Sequence, residues 1–349
     1  MAEVVTMAER LARLANEYDV VVVGGGPAGL SGALVLARAR RSVVVIDAGA
    51  PRNAPADGVH GLLARDGMSP AELLATGRSE VRRFGGHVVT GEVEAVTNDD
   101  DDGFAVTLAD GRCARASTAG HDRTGGRAAG RAGSARTVGR DVVHCPYCHG
   151  WEVRDQAIGV LATGPLAVHM ALLFRQWSAD VVLFTHTTTP PSHDEAEQLA
   201  ARGIGVVPGE VERLEIADDR LVGVRLRDGD VIARHVLVAS PHMRARSGVL
   251  ATLGLTPVAH PRGVGEYVAT TDPTGQTEVP GVWVAGNVAD LTAQVGGAAA
   301  AGALAAAAIN NDLITEDTRR AVDAYRNPFS AAAEARMCES VTGDRRHGL

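Results

Sequence analysis

The first third of the chain alternates continuous apolar runs with one helical pattern. Residues 20–23 and 43–46 are unbroken runs of valine and isoleucine, which predict buried strands rather than strands with one solvent face. Residues 30–40 lie between them and have the apolar spacing of a helix. A strand, a helix and a second buried strand form the βαβ unit of a parallel sheet, so this region predicts an α/β domain.

The same order of patterns returns in the middle of the chain, which predicts a second α/β unit. Residues 157–161 and 181–184 predict strands, and a helical pattern between them runs to about residue 177. Further patterns predict helices at 70–84 and 194–202, a hairpin or meander over 88–97 and 104–108, strands at 204–207 and 280–287, a meander over 211–238 and a small-residue helix at 293–310. Residues 1–18 are expected to form a short leading helix, and residues 317–349 a tail.

One segment breaks this pattern. Residues 114–137 contain no Val, Ile, Leu, Met, Phe, Tyr or Trp and consist mainly of Arg, Gly, Ala, Ser and Thr. Such a segment cannot bury enough apolar surface to order itself, so we predict a linker or a disordered loop. Because compact domains rarely contain so long a structureless stretch, our hypothesis is a local reading-frame error in the gene, restored by about residue 138.

Composition restricts the classes of function. At 349 residues the chain is long enough for two domains, and its hydrophobic fraction of 45% is ordinary for a globular protein. The net charge of -8 argues against nucleic acid or an anionic membrane surface as a partner. We find neither a signal-peptide pattern nor an apolar window long enough to span a membrane. Four cysteines in so long a chain do not form a disulfide framework, so we expect a cytoplasmic enzyme.

The first chemical motif is the glycine-rich turn between the first strand and its helix. Gly24 allows the tight turn, Gly26 lets the backbone approach a pyrophosphate, and Gly29 lets the helix pack closely on the strand. The N-terminus of the helix then faces the phosphates. Asp47 ends the second strand, where a carboxylate can bind a ribose hydroxyl. Together these features predict dinucleotide binding.

The second motif is a Cys-x-x-Cys formed by Cys145 and Cys148, with His144 and His149 on either side. A dithiol at this spacing can close into a disulfide and reopen, and the thiolate is the reacting form. Two cysteines and two histidines could also bind zinc, but a tetrahedral site usually takes its second ligand pair from a distant stretch, and none follows here. We therefore favour redox chemistry and predict no metal site.

The order of these motifs resembles the low-molecular-weight thioredoxin reductase family of flavoproteins. In that order, a dinucleotide-binding fold is followed by a Cys-x-x-Cys that opens a second such fold, and by a return strand ending Ala-Gly-Asn, here at Asn287. The match looks closest to the FAD-dependent dithiol oxidases of gliotoxin and holomycin biosynthesis, whose Cys-x-x-Cys-His-Gly corresponds to residues 145–150; thioredoxin reductases usually have Asp in place of His149. The implied fold class is α/β, with two Rossmann-like dinucleotide-binding domains (three-layer ββα), the second inserted into the first.

This resemblance implies a division of the chain and a set of site residues. The FAD-binding domain would cover 17–113 and 246–325, separated by an atypical linker at 114–140 and an NAD(P)-binding-like domain at 141–245, with a tail at 326–349. Cys145 would exchange with substrate, Cys148 would face the flavin, and His149 would be the acid–base group. The implied FAD contacts are Gly24, Gly26, Pro27, Ala28, Gly29, Asp47, Arg52, Asn53, Val89, Gly286, Asn287, Gln294 and Val295, with Asn287 standing where the family usually has Asp.

The stretch after the second strand of the middle unit departs from the family pattern. An NADPH site needs cationic side chains there for the 2′-phosphate. This chain has a run of Thr and His over 185–189 and no Arg or Lys between Arg175 and Arg202. Tight binding of NADP(H) is therefore not expected, and we interpret the run as a surface loop.

Three functions follow as hypotheses. The first is an FAD-dependent dithiol oxidase that acts on a small-molecule dithiol or a thioredoxin-like protein. The second is an NADPH-dependent thioredoxin reductase, which runs the opposite way. The third, from another class, is a degenerate flavin- or zinc-binding protein without turnover. The resemblance also implies a homodimer, with neither nucleic acid nor membrane as a partner.

Overall fold

The computed structural model describes residues 17–99, 103–121, 124–127 and 140–327 of the chain. Of the predicted leading segment 1–18, residues 1–16 lie outside these ranges, and Glu17 and Tyr18 belong to a strand instead. The end of the predicted tail also lies outside them. The strands are β1 Glu17–Val23, β2 Val43–Asp47, β3 His87–Thr90, β4 Val93–Asp99, β5 Gly103–Leu108, β6 Cys113–His121, β7 Thr124–Arg127, β8 Val142–Val143, β9 Ile158–Leu161, β10 Val181–Phe184, β11 Gly205–Val207, β12 Val211–Ala217, β13 Arg220–Leu226, β14 Val231–Ile232, β15 Val236–Ala239, β16 His242–Ala245, β17 Val258–Ala259, β18 Gly265–Tyr267 and β19 Val282–Val284.

The four predicted helices up to residue 202 are present, the last helix is longer than predicted, and two short helices, Pro146–His149 and Gly248–Ala251, were not predicted. They are α1 Pro27–Arg38, α2 Pro70–Arg83, α3 Pro146–His149, α4 Ala167–Phe174, α5 His193–Ala201, α6 Gly248–Ala251 and α7 Val295–Arg326, with a 3-10 turn at Gly286–Val288. Sequence signals explain two of the starts: the Ser69 hydroxyl accepts the N–H of Glu72 before α2, and Ser192 forms a capping box with Glu195 before α5. Among the helices that the structure describes, none is long and apolar enough to cross a membrane.

The first sheet has the order β3-β2-β1-β6-β5-β4, and β19 pairs with the second half of β6. β1, β2, β3, β6 and β19 are parallel, whereas β4, β5 and the first half of β6 form an antiparallel meander. Both faces of this sheet are buried, and the side chains of β19 alternate between them. Trp283 packs in the cluster beneath α1 and α7, whereas Val282 and Val284 pack in the cluster on the other face. The chain forms the second sheet before it returns to this one at β19, as expected if the second domain is inserted into the first.

The prediction of a linker over 114–137 is wrong for its first part, because β6 occupies Cys113–His121 and β7 occupies Thr124–Arg127. Backbone pairing supplies the order that composition does not: β6 bonds β1 on one side and β5 and then β19 on the other. Ala114 and Ala116 add small buried contacts, at 1% and 4% exposure. The predicted boundary at residue 113 therefore falls inside a strand. Residues 128–139 lie outside the described part, and the reading-frame hypothesis stays a prediction.

The second sheet is parallel, with the order β11-β10-β9-β15-β8. The predicted meander over 211–238 is correct for β12, β13 and β14 only. β15, the last part of that stretch, instead joins the parallel sheet beside β9, because its residues Val236, Leu237 and Val238 are buried on both faces. This architecture has the predicted α/β fold class with two parallel sheets.

Helix α7 is much longer than predicted, since it runs from Val295 through Arg326. Its first half packs against α1, where a Cβ on Gly302 would lie 2.0 Å from the carbonyl oxygen of Ala28. Its second half is exposed and carries ion pairs at helical spacing, including Glu316 with Arg319 and Arg319 with Asp323. The prediction of a tail beginning at residue 317 is therefore wrong up to Arg326.

Candidate active site

One cavity of about 550 Å³ brings most of the predicted site residues together. It lies between the glycine turn after β1, the loop after β2, the short helix α3 and the N-terminus of α7. A cavity of this volume is in the range of small-molecule and cofactor sites. The predicted residues on its wall are Gly24, Gly26, Pro27, Asp47, Arg52, Asn53, Cys145, Cys148, His149, Asn287, Gln294 and Val295.

A second group of predicted cofactor residues lies behind this wall. Ala28 and Gly29 are buried in α1, and a Cβ on Gly29 would lie 2.0 Å from the carbonyl oxygen of Gly24, so this glycine permits close packing of the helix on the turn. Val89 is a core residue of the first sheet at 3% exposure. Gly286 is buried in the 3-10 turn. The structure does not bring the Val89 side chain to the cavity.

The glycine turn has no room for side chains, so its backbone stays accessible from the cavity. Gly24 has a φ of +107°, and its N–H donates to the carbonyl oxygen of Ile46 at 2.8 Å. A Cβ on Gly25 would lie 2.7 Å from the carboxyl group of Asp47. Asp47 therefore faces the turn from the end of β2, with Nη1 of Arg78 at 4.0 Å. A carboxylate beside a glycine turn at a helix N-terminus fits the ribose and pyrophosphate of a dinucleotide.

The two cysteines lie at the start of α3, and their sulfur atoms are at disulfide distance. The chain turns tightly there: the N–H of His149 donates to the carbonyl oxygen of Cys145 at 3.1 Å. Gly150 completes this turn, because a Cβ at that position would lie 2.7 Å from the Trp177 ring. Across the cavity, the Nε2 of Gln294 lies 3.8 Å from the Sγ of Cys145. The Cys145 end of the dithiol thus lies next to the N-terminus of α7.

His149 is a polar side chain at this site whose ring makes no hydrogen bond to any other described residue. Both of its ring nitrogens are buried, and neither has a hydrogen-bond partner among the described residues. Burial lowers the pKa of His149, the carboxylate of Glu152 raises it, and His60 lowers it. A buried imidazole with two unused nitrogens, one residue from a redox-active sulfur, is suited to taking and returning a proton.

His144 precedes the motif, and its ring centroid is 6.2 Å from that of His149. Although His144 is exposed at the cavity wall, the protein atoms around its ring, then the charge of Arg52 and then that of His149, lower its pKa to about 4. His144 is therefore neutral at pH 7 and can donate or accept a hydrogen bond without adding charge to the site.

Asn287 anchors the loop that leads into α7. Its Nδ2 donates to the backbone carbonyl oxygens of Asp290 at 3.0 Å and of Ala293 at 2.9 Å. Because both partners can only accept, they fix the orientation of the amide and place its nitrogen against the loop. The sequence placed Asn287 at a cofactor; the structure adds that it holds the segment from which Gln294 and Val295 reach the cavity wall.

Sequence reasoning missed the charged groups that the loop after β2 brings to the motif. His60 Nδ1 lies 3.5 Å from Oδ2 of Asp66, and His60 Nε2 lies 3.7 Å from Oε1 of Glu152. His60 itself lines the cavity, as do Arg246 and Arg262. The sequence contains no signal for these residues, because none belongs to a motif and the loop that carries His60 has no periodic pattern.

The loop that follows β10 is held by its own hydrogen bonds. The hydroxyl of Thr188 donates to the carbonyl oxygen of Thr185 at 2.8 Å, and Nδ1 of His186 accepts the N–H of Val211 at 3.2 Å. Nearby, Nε of Arg175 donates to the carbonyl oxygen of Arg202 at 2.9 Å. These groups serve the local structure, which agrees with the interpretation of this stretch as a surface loop. Within the described ranges there is no group of three or more His, Cys, Asp or Glu side chains arranged to hold a metal ion.

Comparison with known proteins identifies the family. The family model for pyridine nucleotide-disulphide oxidoreductases matches residues 18–309. The chain is 31% identical to thioredoxin reductase tcpT of Claviceps purpurea over 86% of this chain and 96% of that one, and 29% identical to thioredoxin reductase sirT of Leptosphaeria maculans over 86% and 95%. Among solved structures, the crystal structure of HlmI superposes with a TM-score of 0.84 at 43% identity, covering 91% of this chain and 100% of HlmI. The predicted family and fold class are confirmed: the chain belongs to the pyridine nucleotide-disulphide oxidoreductase family, as a thioredoxin reductase-like flavoenzyme with a redox-active cysteine pair.

Proposed function

We propose that the enzyme is an FAD-dependent dithiol oxidase, which converts a dithiol substrate into a disulfide. The observation that carries this proposal is the Cys145–Cys148 disulfide on the wall of the same cavity as His149, whose buried nitrogens have no partner among the described residues. The loop after β10 supports oxidation of the substrate rather than reduction by NADPH. Its Thr and His side chains hydrogen-bond to backbone groups of the protein, and it has no Arg or Lys to bind a 2′-phosphate.

The thiol chemistry involves this chain's own residues in two steps. A substrate thiolate attacks Sγ of Cys145, which breaks the protein disulfide, forms a mixed disulfide and releases Cys148 as a thiolate. The second substrate thiol then attacks the substrate sulfur of the mixed disulfide, which releases the oxidised substrate and leaves Cys145 reduced. His149 accepts a thiol proton in this exchange. Two electrons and two protons have then passed from substrate to protein.

The glycine turn, Asp47, Asn287, Gln294 and Val295 would hold FAD, which when bound supplies the two-electron acceptor for the reduced cysteine pair. From the resemblance to the dithiol oxidases, and not from any residue of this chain, we propose dioxygen as the terminal oxidant. It takes up the two electrons and two protons as hydrogen peroxide, so that one dithiol and one dioxygen give one disulfide and one peroxide.

Anaerobic titration of the purified flavoprotein tests the direction. Because the donor is a dithiol, we expect dithiothreitol to bleach the flavin absorbance, whereas NADPH at micromolar concentration leaves it unchanged. Admitting air to the reduced protein should restore the absorbance and yield one peroxide per dithiol. Rapid bleaching by NADPH together with slow or no bleaching by the dithiol would show that the proposed direction is wrong.

The roles of the two sulfurs are tested by trapping the mixed disulfide. Because each variant has lost the protein disulfide, it is given a linear disulfide, which the remaining thiolate can attack to form a mixed disulfide and release one thiolate. We expect Cys148→Ser to accumulate this adduct on Cys145, since no Cys148 is present to displace it, and Cys145→Ser to accumulate none on Cys148. Each substitution should lower turnover about a thousandfold or more. Intact-mass spectrometry measures the adduct, and Cys113→Ser, which removes an exposed free cysteine, is the matched control. An adduct of equal yield on Cys148 in the Cys145→Ser protein would reverse the assignment.

A second candidate is an NADPH-dependent thioredoxin reductase, which the names of the curated relatives favour. It uses the same cysteines in the opposite direction, and the NADPH titration separates the two. We further propose a homodimer located in the cytoplasm, with sedimentation analysis as the test of the oligomeric state.

A further inference from the structure

The loop between β2 and α2 folds over the cysteine motif. Its middle part is closed by an antiparallel bridge, in which the N–H of Val59 donates to the carbonyl oxygen of Met68 and the N–H of Gly67 donates to that of Val59, both at 2.8 Å. A Cβ on Gly61 would lie 3.7 Å from Oε1 of Gln294, so the loop reaches the side chain that contacts Cys145. Residues 57–68, called the cover loop below, therefore form part of the wall beside the dithiol.

Within the cover loop, His60 is held between two carboxylates. Asp66 lies 3.5 Å from its Nδ1, and the same Asp66 accepts the N–H of Gly61 at 2.8 Å, which fixes this carboxylate within the loop. Glu152 lies 3.7 Å from the Nε2 and belongs to the turn directly after α3. The His60 side chain is only 21% exposed, whereas that of Glu152 is 40% exposed. This pair therefore joins the cover loop to the segment that carries the cysteines.

Glu152 follows His149 by three residues in the turn directly after α3, and His60 lines the same cavity as His149. The negative charge of Glu152 and that of Asp57 in the cover loop favour protonated His149, whereas His60 and burial disfavour it. His144, whose ring centroid is 6.2 Å away, completes the titratable groups around the ring.

We propose that His60 and Glu152 act as an electrostatic pair on His149, through which the cover loop sets the readiness of His149 to take and return the thiol proton. They are positioning residues, since neither has to touch the substrate. This inference rests on the proposed function, because His149 is assigned there as the acid–base group. Glu152 makes His149 a stronger base, and His60 restrains it.

The test is the pKa of His149 itself, measured by NMR on the oxidised, FAD-loaded protein with labelled histidine and assigned with a His149→Gln variant. In Glu152→Gln we expect the pKa to fall, because a stabilising negative charge is lost. In His60→Gln we expect it to rise, because the interaction by which His60 disfavours protonated His149 is lost and Glu152 no longer has His60 as a partner. The acid limb of the rate of thiol oxidation should shift in the same directions, to lower pH and to higher pH respectively.

Matched controls are His193→Gln and Glu197→Gln, which remove the same types of side chain from exposed positions on α5 and should leave the pKa of His149 unchanged. Unchanged values in both test variants, or shifts of the same sign, would overturn the proposal. If His60→Gln does not fold, Glu152→Gln decides the question alone. The NMR result does not depend on whether the enzyme oxidises dithiols or reduces disulfides, so failure of the proposed direction is seen separately in the NADPH titration.

Discussion

At the scale of single residues, Asn287 shows how a departure from a family pattern can carry structural meaning. The family usually has Asp here, and an ionised carboxylate can only accept hydrogen bonds. In this chain the Nδ2 donates to the carbonyl oxygens of Asp290 and Ala293. The loop before α7 is therefore built around a donor that Asp does not have.

We predict that Asn287→Asp weakens FAD binding and destabilises the protein by about 1–3 kcal/mol, because carbonyl oxygens lose their donor and face a negative charge. Flavin fluorescence on dilution measures the dissociation constant, and urea unfolding measures the stability. Asn311→Asp, at an exposed position on α7, is the control and should change the FAD affinity little. An unchanged affinity in Asn287→Asp would show that the amide is not needed.

The sequence predicts which residues come together where a motif occupies consecutive positions. The glycine turn and the Cys-x-x-Cys are of this kind, and the structure places Gly24, Cys145 and Cys148 on one cavity wall. His60 and Glu152 could not be predicted, since their 3.7 Å contact exists only after the cover loop has folded over α3. Charge coupling between distant segments has no sequence pattern.

At the scale of elements, the contact between α1 and α7 depends on glycine. A Cβ on Gly302 would meet the carbonyl oxygen of Ala28 at 2.0 Å, and a Cβ on Gly32 would meet the carbonyl oxygen of Gly302 at 3.0 Å. Both obstacles are backbone atoms, which cannot move aside without separating the helices. The small-residue helix that the sequence singled out therefore serves tight packing along its length, while its first turn lines the cavity.

We predict that Gly302→Ala destabilises the protein by about 1–3 kcal/mol or more, because the added methyl group overpacks this contact. Gly297→Ala is the matched control in the same helix, since its Cβ would have no neighbour closer than 3.9 Å. The control should be neutral or stabilising by up to about 1 kcal/mol, as alanine favours the helix. Urea unfolding compares the two, and equal stability would mean that the helices can move apart at little cost.

Strands were predictable where valine and isoleucine mark them, as in β1, β2 and β10. β6 was not, because its order comes from pairing with β1, β5 and β19, which a local pattern cannot reveal. The end of α7 was placed too early for a related reason. A polar helix held by ion pairs such as Glu316 with Arg319 resembles a solvated tail in composition.

At the scale of the whole molecule, the site is assembled from segments that belong to different parts of the fold. The glycine turn, the cover loop and α7 come from the first sheet and its helices, whereas the cysteines lie beside β8, at the edge of the second sheet. The sequence predicted this arrangement from the order of its motifs. It could not predict the cavity volume or the charged pair across it, because those depend on how the segments pack.

The main-chain pairing of β6 affects which substitutions the protein tolerates in this strand. A strand that is held by its main chain on both sides makes few demands on its side chains, apart from small residues such as Ala114 and Ala116 where they face the core. A changed side chain at such a position leaves the main-chain pairing of β6 intact, provided that it is not a proline, which would remove a backbone donor.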